Sequence, residues 1–175
     1  MTSMTAFAAS NPIELGPAKI SMDLTAMGDY KIEKESPYTD NHPGKGYDFS
    51  YQIHTASISR GSTDDQVKVE VHQMDSQESL NSAVPQLKGS IGLEHCVKES
   101  GLLSKRAKTD QESYTIDGRE GLLMKVDEGG DEPRYIAVYS PDQENGSGTV
   151  VCIISSDLPW DATKVLFQSV RTQLK

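Results

Sequence analysis

An α+β fold built on a central antiparallel sheet is predicted by three features of the sequence. Apolar residues recur at every second position in several short runs, an Asp-Gly dipeptide separates two such runs, and two segments switch to apolar spacing of three and four. Period two places alternate side chains on opposite faces of a strand, whereas three-and-four spacing makes one stripe on a helix.

The elements follow in chain order. Lys19 to Leu24 alternates apolar and polar residues and reads as a first strand, and Tyr30 to Ser36 as a second one ended by Pro37. Residues 36–46, with two prolines, two glycines, Asp40 and Asn41, carry turn chemistry and read as an exposed loop. Alternation returns at Tyr47, Phe49, Tyr51 and Ile53, and again at Val67, Val69 and Val71 after a break at Gly61–Asp65, which predicts a long β-hairpin. A loop centred on Thr63 sets Thr55 opposite Val71 and Ser57 opposite Val69 on the inward side. His54 then faces His72, and Ala56 faces Glu70, on the outward side.

From Asp75 the spacing of Leu80, Ala83, Val84, Leu87 and Ile91 predicts a helix to about Val97, in two pieces because Pro85 and Gly89 interrupt it. Leu102–Ile116 and Arg119–Val126 flank Asp117-Gly118, a dipeptide suited to the positive φ angles of a type I′ hairpin turn. Further strands are predicted at 135–139 and 149–155, separated by turns at 127–133 and 141–148. Asp157 as N-cap and Pro159 in the first turn open a last helix, whose stripe of Ala162, Val165, Leu166, Val170 and Leu174 should lie across a sheet face. The order is four strands, a helix, four strands and a helix.

Composition bounds the rest. A chain of 175 residues suits one domain, here residues 18–175 after a flexible N-terminal segment 1–17. With 35% hydrophobic residues and a mean hydropathy of -0.52, the apolar residues must concentrate on a few faces, which argues for a thin, half-solvated sheet. A formal charge of -9 repels phosphate backbones and anionic lipid, which makes nucleic acid and membrane surfaces unexpected partners and leaves a basic protein, a cation or a neutral ligand, with another protein the expected partner. No run approaches the ~20 apolar residues of a membrane span, so no membrane insertion is expected. Ala6-Phe7-Ala8 is like a signal-peptidase site without a basic or fully apolar stretch before it, so secreted and cytoplasmic locations are equally open. Cys96 and Cys152 form no CxxC motif and could pair only if the fold brings them together.

The element order, the hairpin Tyr114–Leu122, the strand Val150–Ser156 and the stretch Asp157–Asp161 resemble the PsbP-like superfamily, shared by extrinsic oxygen-evolving-complex proteins and the Ran-binding Mog import factor. The resemblance covers about residues 18–174. It implies an αβα sandwich and a non-enzymatic docking or assembly role. The chain has Gly28-Asp29-Tyr30 where the family's first hairpin begins with an aromatic Gly-Trp, and shows no lipobox cysteine near its start.

Few residues carry candidate chemistry. His54 and His72, facing each other with Glu70 nearby, could hold Zn²⁺ or Cu²⁺, although a polar decoration of the sheet explains the pair as well. Asp127, Glu128, Asp131 and Glu132 lack calcium-loop spacing and read as a solvated turn, and Asn145-Gly-Ser147 is a formal glycosylation acceptor that turn chemistry also explains. No nucleophile elbow or phosphate loop occurs, so no catalytic residue and no cofactor are assigned. Trp160, the single tryptophan, is a candidate partner anchor, with Tyr38 and Tyr47 as weaker ones; packing of the helix start is the bland explanation for Trp160. The expected function is a non-catalytic binding or assembly module. The competing readings are a divalent-metal protein using His54 and His72, and a small-ligand carrier or unrecognised hydrolase.

Overall fold

A computed structural model of the chain describes residues 12–43, 48–61, 66–74, 93–94, 96–98, 100–130, 132–143 and 149–175. Two antiparallel sheets dominate it. The large sheet contains β3 (Tyr30–Lys34), β4 (Tyr38–Pro43), β5 (Asp48–Arg60), β6 (Gln66–Met74), β7 (Lys108–Ile116), β8 (Arg119–Asp127), β9 (Arg134–Tyr139) and β10 (Val150–Ser156). Its order is β3-β5-β6-β10-β9-β8-β7, with β4 beside β3 on β5, so two meanders meet at the β6–β10 seam. The small sheet joins β1 (Ile13–Leu15), β2 (Ala18–Ser21) and β11 (Arg171–Leu174), and the helix α1 spans Trp160–Ser169.

Strands make up 56% of the structure and helix only 14%, which overturns the expected α+β, PsbP-like αβα sandwich in favour of a β-rich fold. Three local outcomes account for the correction. The predicted loop 36–46 contains β4, whose turn-forming residues pair instead with the long β5, Tyr38 opposite Ile53 and Asp40 opposite Tyr51. The last helix stops at Ser169 because Val170 turns to extended backbone, and Thr172 and Leu174 pair with β2. Ile13 and Leu15, upstream of the boundary predicted at residue 18, form a strand and are buried. Of the predicted helix 75–97, residues 93–94 and 96–98 are helical; the rest, with Pro85 and Gly89, lies outside the described residues.

The middle strands of the large sheet are covered on both faces, not half-solvated, while β3 and most of β7 stay exposed. On one face, Ala56, Ile58, Val67, Val69, Cys152 and Ile154 pack against Ile13, Ile20, Met27, Leu166 and Phe167 from the small sheet, the adjacent turn and α1. On the other, Tyr51, Ile53, Met74, Val151 and Ile153 pack against Leu93, Cys96, Val97 and Leu102. The two cysteines are not joined to each other, since each belongs to the core on a different face of the sheet. Burial pushes the Cys152 thiol up to about 12 against a hydrogen bond with Tyr139 that lowers it, so it stays protonated.

The start of α1 differs from the predicted cap. Pro159 is the N-cap and makes no side-chain cap, while its carbonyl accepts from Thr163 N–H at 3.0 Å. Asp157 is drawn away to Arg134, 2.7 Å from its Nε. Hydroxyls tie the approach to the helix onto its first turn: Ser156 Oγ lies 2.8 Å from Thr163 Oγ1 and accepts from Leu158 N–H at 3.3 Å. This buried web fixes the helix start, and with it Trp160.

Candidate functional site

The β5–β6 register decides the fate of the histidine pair. Ile53 pairs with His72 and His54 with Val71, one residue away from the predicted alignment. Directly paired residues share a face, so His54 and His72 lie on opposite faces of the sheet and do not converge. The shift has a clear cause in packing: it places Ala56 and Ile58 beside Val67 and Val69 on one face, and Tyr51 and Ile53 beside His72 and Met74 on the other. The predicted alignment put the three valines with Tyr51 and Ile53 and left Ala56 and Ile58 among polar residues.

His54 packs against the β1–β2 turn, where Gly16 has φ 53° and a Cβ would come within 2.4 Å of the imidazole Nε2. Burial, helped by the Lys175 charge, lowers its pKa and favours the neutral ring. His72 belongs instead to a polar ladder along one face of β6. Its Nε2–H donates to Glu70 Oε2 at 2.9 Å, and Lys68 Nζ lies 3.0 Å from Glu70 Oε1. Glu70 and His72 are both within 1% of complete burial. Desolvation pushes the Glu70 carboxyl up, but the hydrogen bonds from His72 and Lys68 together outweigh it and hold the pKa below its usual value. The His72 ring tilts against Tyr51 at 5.8 Å, and its Nδ1 is buried without a partner.

Tyr38 is half-exposed, and burial together with the nearby Glu70 charge raises its phenol pKa. Its cross-strand partner Ile53 puts it on the face of the ladder rather than beside Trp160. Tyr47 and Asn145 lie outside the described residues, as does Asp131. In the 127–133 turn, Asp127 accepts from Gly129 N–H at 2.8 Å and Glu128 approaches Arg134 at 3.5 Å, which gives both carboxylates local structural roles. Among the described residues, no three or more His, Cys, Asp and Glu side chains gather as metal ligands.

Trp160 borders a concavity on the outer half of the sheet. Across β7, β8 and β9 the register aligns Asp110 with Lys125 and Lys125 with Tyr135, and in the next row Glu112 with Leu123. The Trp160 indole leans on the Tyr135 ring, centroids 4.8 Å apart and planes at 37°. Together with Gln111 these six residues line a groove of about 350 Å³. Leu123, Lys125 and Tyr135 form its floor, the indole its wall, and Asp110 and Glu112 its outer rim. Both rim carboxylates are solvent-exposed. Trp160 is partly buried, as the packing explanation requires, and still presents part of its ring to the groove.

Of the seven residues lining this groove only Trp160 stands out in the sequence as a candidate contact, and the other six do not. A signal for part of it was present. The Asp117-Gly118 turn fixes Ile116 opposite Arg119, and counting back sets Asp110 opposite Lys125 and Glu112 opposite Leu123. Nothing local announces that α1 brings its indole over that row. Among the described residues no helix is long and apolar enough to cross a membrane. No family model, no curated protein and no solved structure matches the chain.

Proposed function

We propose that the chain is a non-catalytic binding or assembly module that engages another protein through the groove beside Trp160. The observation that carries this reading is the aromatic wall and floor, Trp160 on Tyr135, held open to solvent by a helix start that buried hydroxyls fix in place. Tryptophan and tyrosine supply large contact area at small entropic cost and recur at the energetic centres of interfaces. A charge of -9 favours a basic partner surface.

A capture experiment tests the reading. Full-length chain and the Trp160→Ala variant, matched for thermal unfolding, are immobilised and exposed to an extract of the native organism. Retention of a defined protein by the parent chain and its loss on Trp160→Ala is the expected result. Equal capture by both refutes the groove as the docking site. If Trp160→Ala does not fold, Tyr135→Ser serves as the second variant, with the same outcomes.

A further inference from the structure

The two ends of the large sheet differ in how they meet solvent. One end is divided between β3 and β4, five and six residues long, with Lys31, Lys34 and Pro43 on them. Short, lysine-bearing, proline-ended strands resist the addition of another strand. The other end is β7, nine residues paired to β8 without interruption from Lys108–Asp127 to Ile116–Arg119 and to no other described strand. Seven of its first eight residues are exposed, and it contains no proline or glycine. At ~3.4 Å per residue such an edge offers about 30 Å of backbone donors and acceptors.

The side chains on this edge say what would fit. On the groove side, Asp110 and Glu112 stand at alternate positions, and neither takes part in an ion pair among the described residues. Lys125 behind them supplies one positive charge against two negative ones. A second copy of the chain fits poorly, because antiparallel self-pairing centred on residue 112 opposes Glu112 to Glu112, and parallel in-register pairing opposes each acid to itself. Directly opposed like charges destabilise a strand pair. Basic side chains at two alternate positions of an incoming strand would instead meet both carboxylates. Their long cationic ends would point into the mouth of the groove toward the Tyr135 and Trp160 rings, whose faces attract cations.

We infer that β7 is an acceptor edge for strand addition by an extended, cationic polypeptide segment with Arg or Lys at positions i and i+2, whose side chains seat on Asp110 and Glu112. This inference deepens the binding-module reading and rests on it. Main-chain hydrogen bonds would supply affinity and the alternate side chains specificity.

The probe is a capped heptapeptide of alternating Thr and Arg, labelled with a fluorophore, titrated with the full chain and read by anisotropy and by the emission of Trp160, the only tryptophan. Two N-methylated versions block alternate sets of peptide N–H groups. Only one set faces the protein in an added strand, so one version should bind like the parent and the other should fail. Binding should weaken with salt and by about 10-fold or more in the D110K/E112K chain, as expected for losing and reversing two interfacial charges. Equal binding by the two N-methylated peptides, unchanged binding to D110K/E112K, or equal binding by a Thr/Glu peptide overturns the inference. If the double variant does not fold, the N-methylated pair on the parent chain decides alone. Loss of the peptide result alongside Trp160-dependent capture removes strand addition and leaves the module reading intact; loss of that capture removes the module reading itself.

Discussion

The hairpins β5–β6 and β7–β8 share one plan, an unbroken antiparallel register, and put polar residues to opposite uses. In β5–β6 the pair lies at the middle of the sheet, where the buried Glu70 is bonded on one side by the buried His72 and on the other by the partly exposed Lys68. In β7–β8 one strand is the sheet's edge, and Asp110 and Glu112 face water with no such partners. Burial therefore forces charges to satisfy one another, whereas an edge leaves them free for another molecule. Charge alone does not tell a buried, bonded carboxylate from a solvated one; position in the sheet does.

The largest expected effect lies in the buried ladder. Glu70→Ala strands His72 and Lys68 and should cost about 3–5 kcal/mol in urea unfolding, whereas replacing all three residues by apolar ones of similar volume should cost far less. A loss under 1 kcal/mol for the single variant would mean the ladder is not closed. The same group sets a pH dependence. Its folded-state pKa lies below its unfolded value, so the ladder's full stabilisation is present above about 4.5 and is lost as pH falls through the lower folded value. Glu70→Gln should flatten the acid side of the stability profile, and an unchanged slope would contradict this.

Next in size is the joint between the edge hairpin and the sheet interior. A Cβ at Gly121 would sit 2.3 Å from the Val138 carbonyl oxygen, in the backbone of the neighbouring strand. Gly121→Ala should therefore cost about 1–3 kcal/mol by overpacking, and a neutral result would show that β8 and β9 can separate locally. Asp117 at the hairpin turn has φ 51° and accepts the Thr172 N–H at 2.8 Å, tying the turn to β11. Asp117→Ala should cost about 1–2 kcal/mol by leaving that donor unpaired and straining the turn, seen as lost hydrogen-exchange protection at Thr172. The smallest effect belongs to the exposed edge: D110K/E112K should change stability by no more than about 0.5 kcal/mol while altering binding. A large loss there would make the two hairpins alike and undo the comparison.

The thiols provide an independent check on burial. Cys152, fully buried and protonated, should react with a thiol reagent only as the chain unfolds, so its labelling rate should rise in step with the unfolding signal across a urea series. Fast labelling in native buffer would contradict the closed core.

Local chemistry alone determined several elements of this protein. Asp117-Gly118 dictated a turn and thereby the whole β7–β8 register, because two adjacent positive φ angles leave a two-residue hairpin no other geometry. The alternation at Val67, Val69 and Val71 and the run Val150–Ile154 dictated strands, and the three-and-four spacing after Pro159 dictated a helix start. Tertiary structure decided the rest. It set the β5–β6 alignment by matching apolar stripes on two faces and so separated His54 from His72, a choice that period-two patterning cannot make when both faces are buried. It also converted Thr172 and Leu174 from helix to strand, since the open edge of β2 and the Asp117 carboxylate offered their backbone partners that no local pattern encodes. And it placed Trp160 over the Asp110–Lys125–Tyr135 row, joining residues far apart in sequence by a packing of helix on sheet that only the closed core enforces.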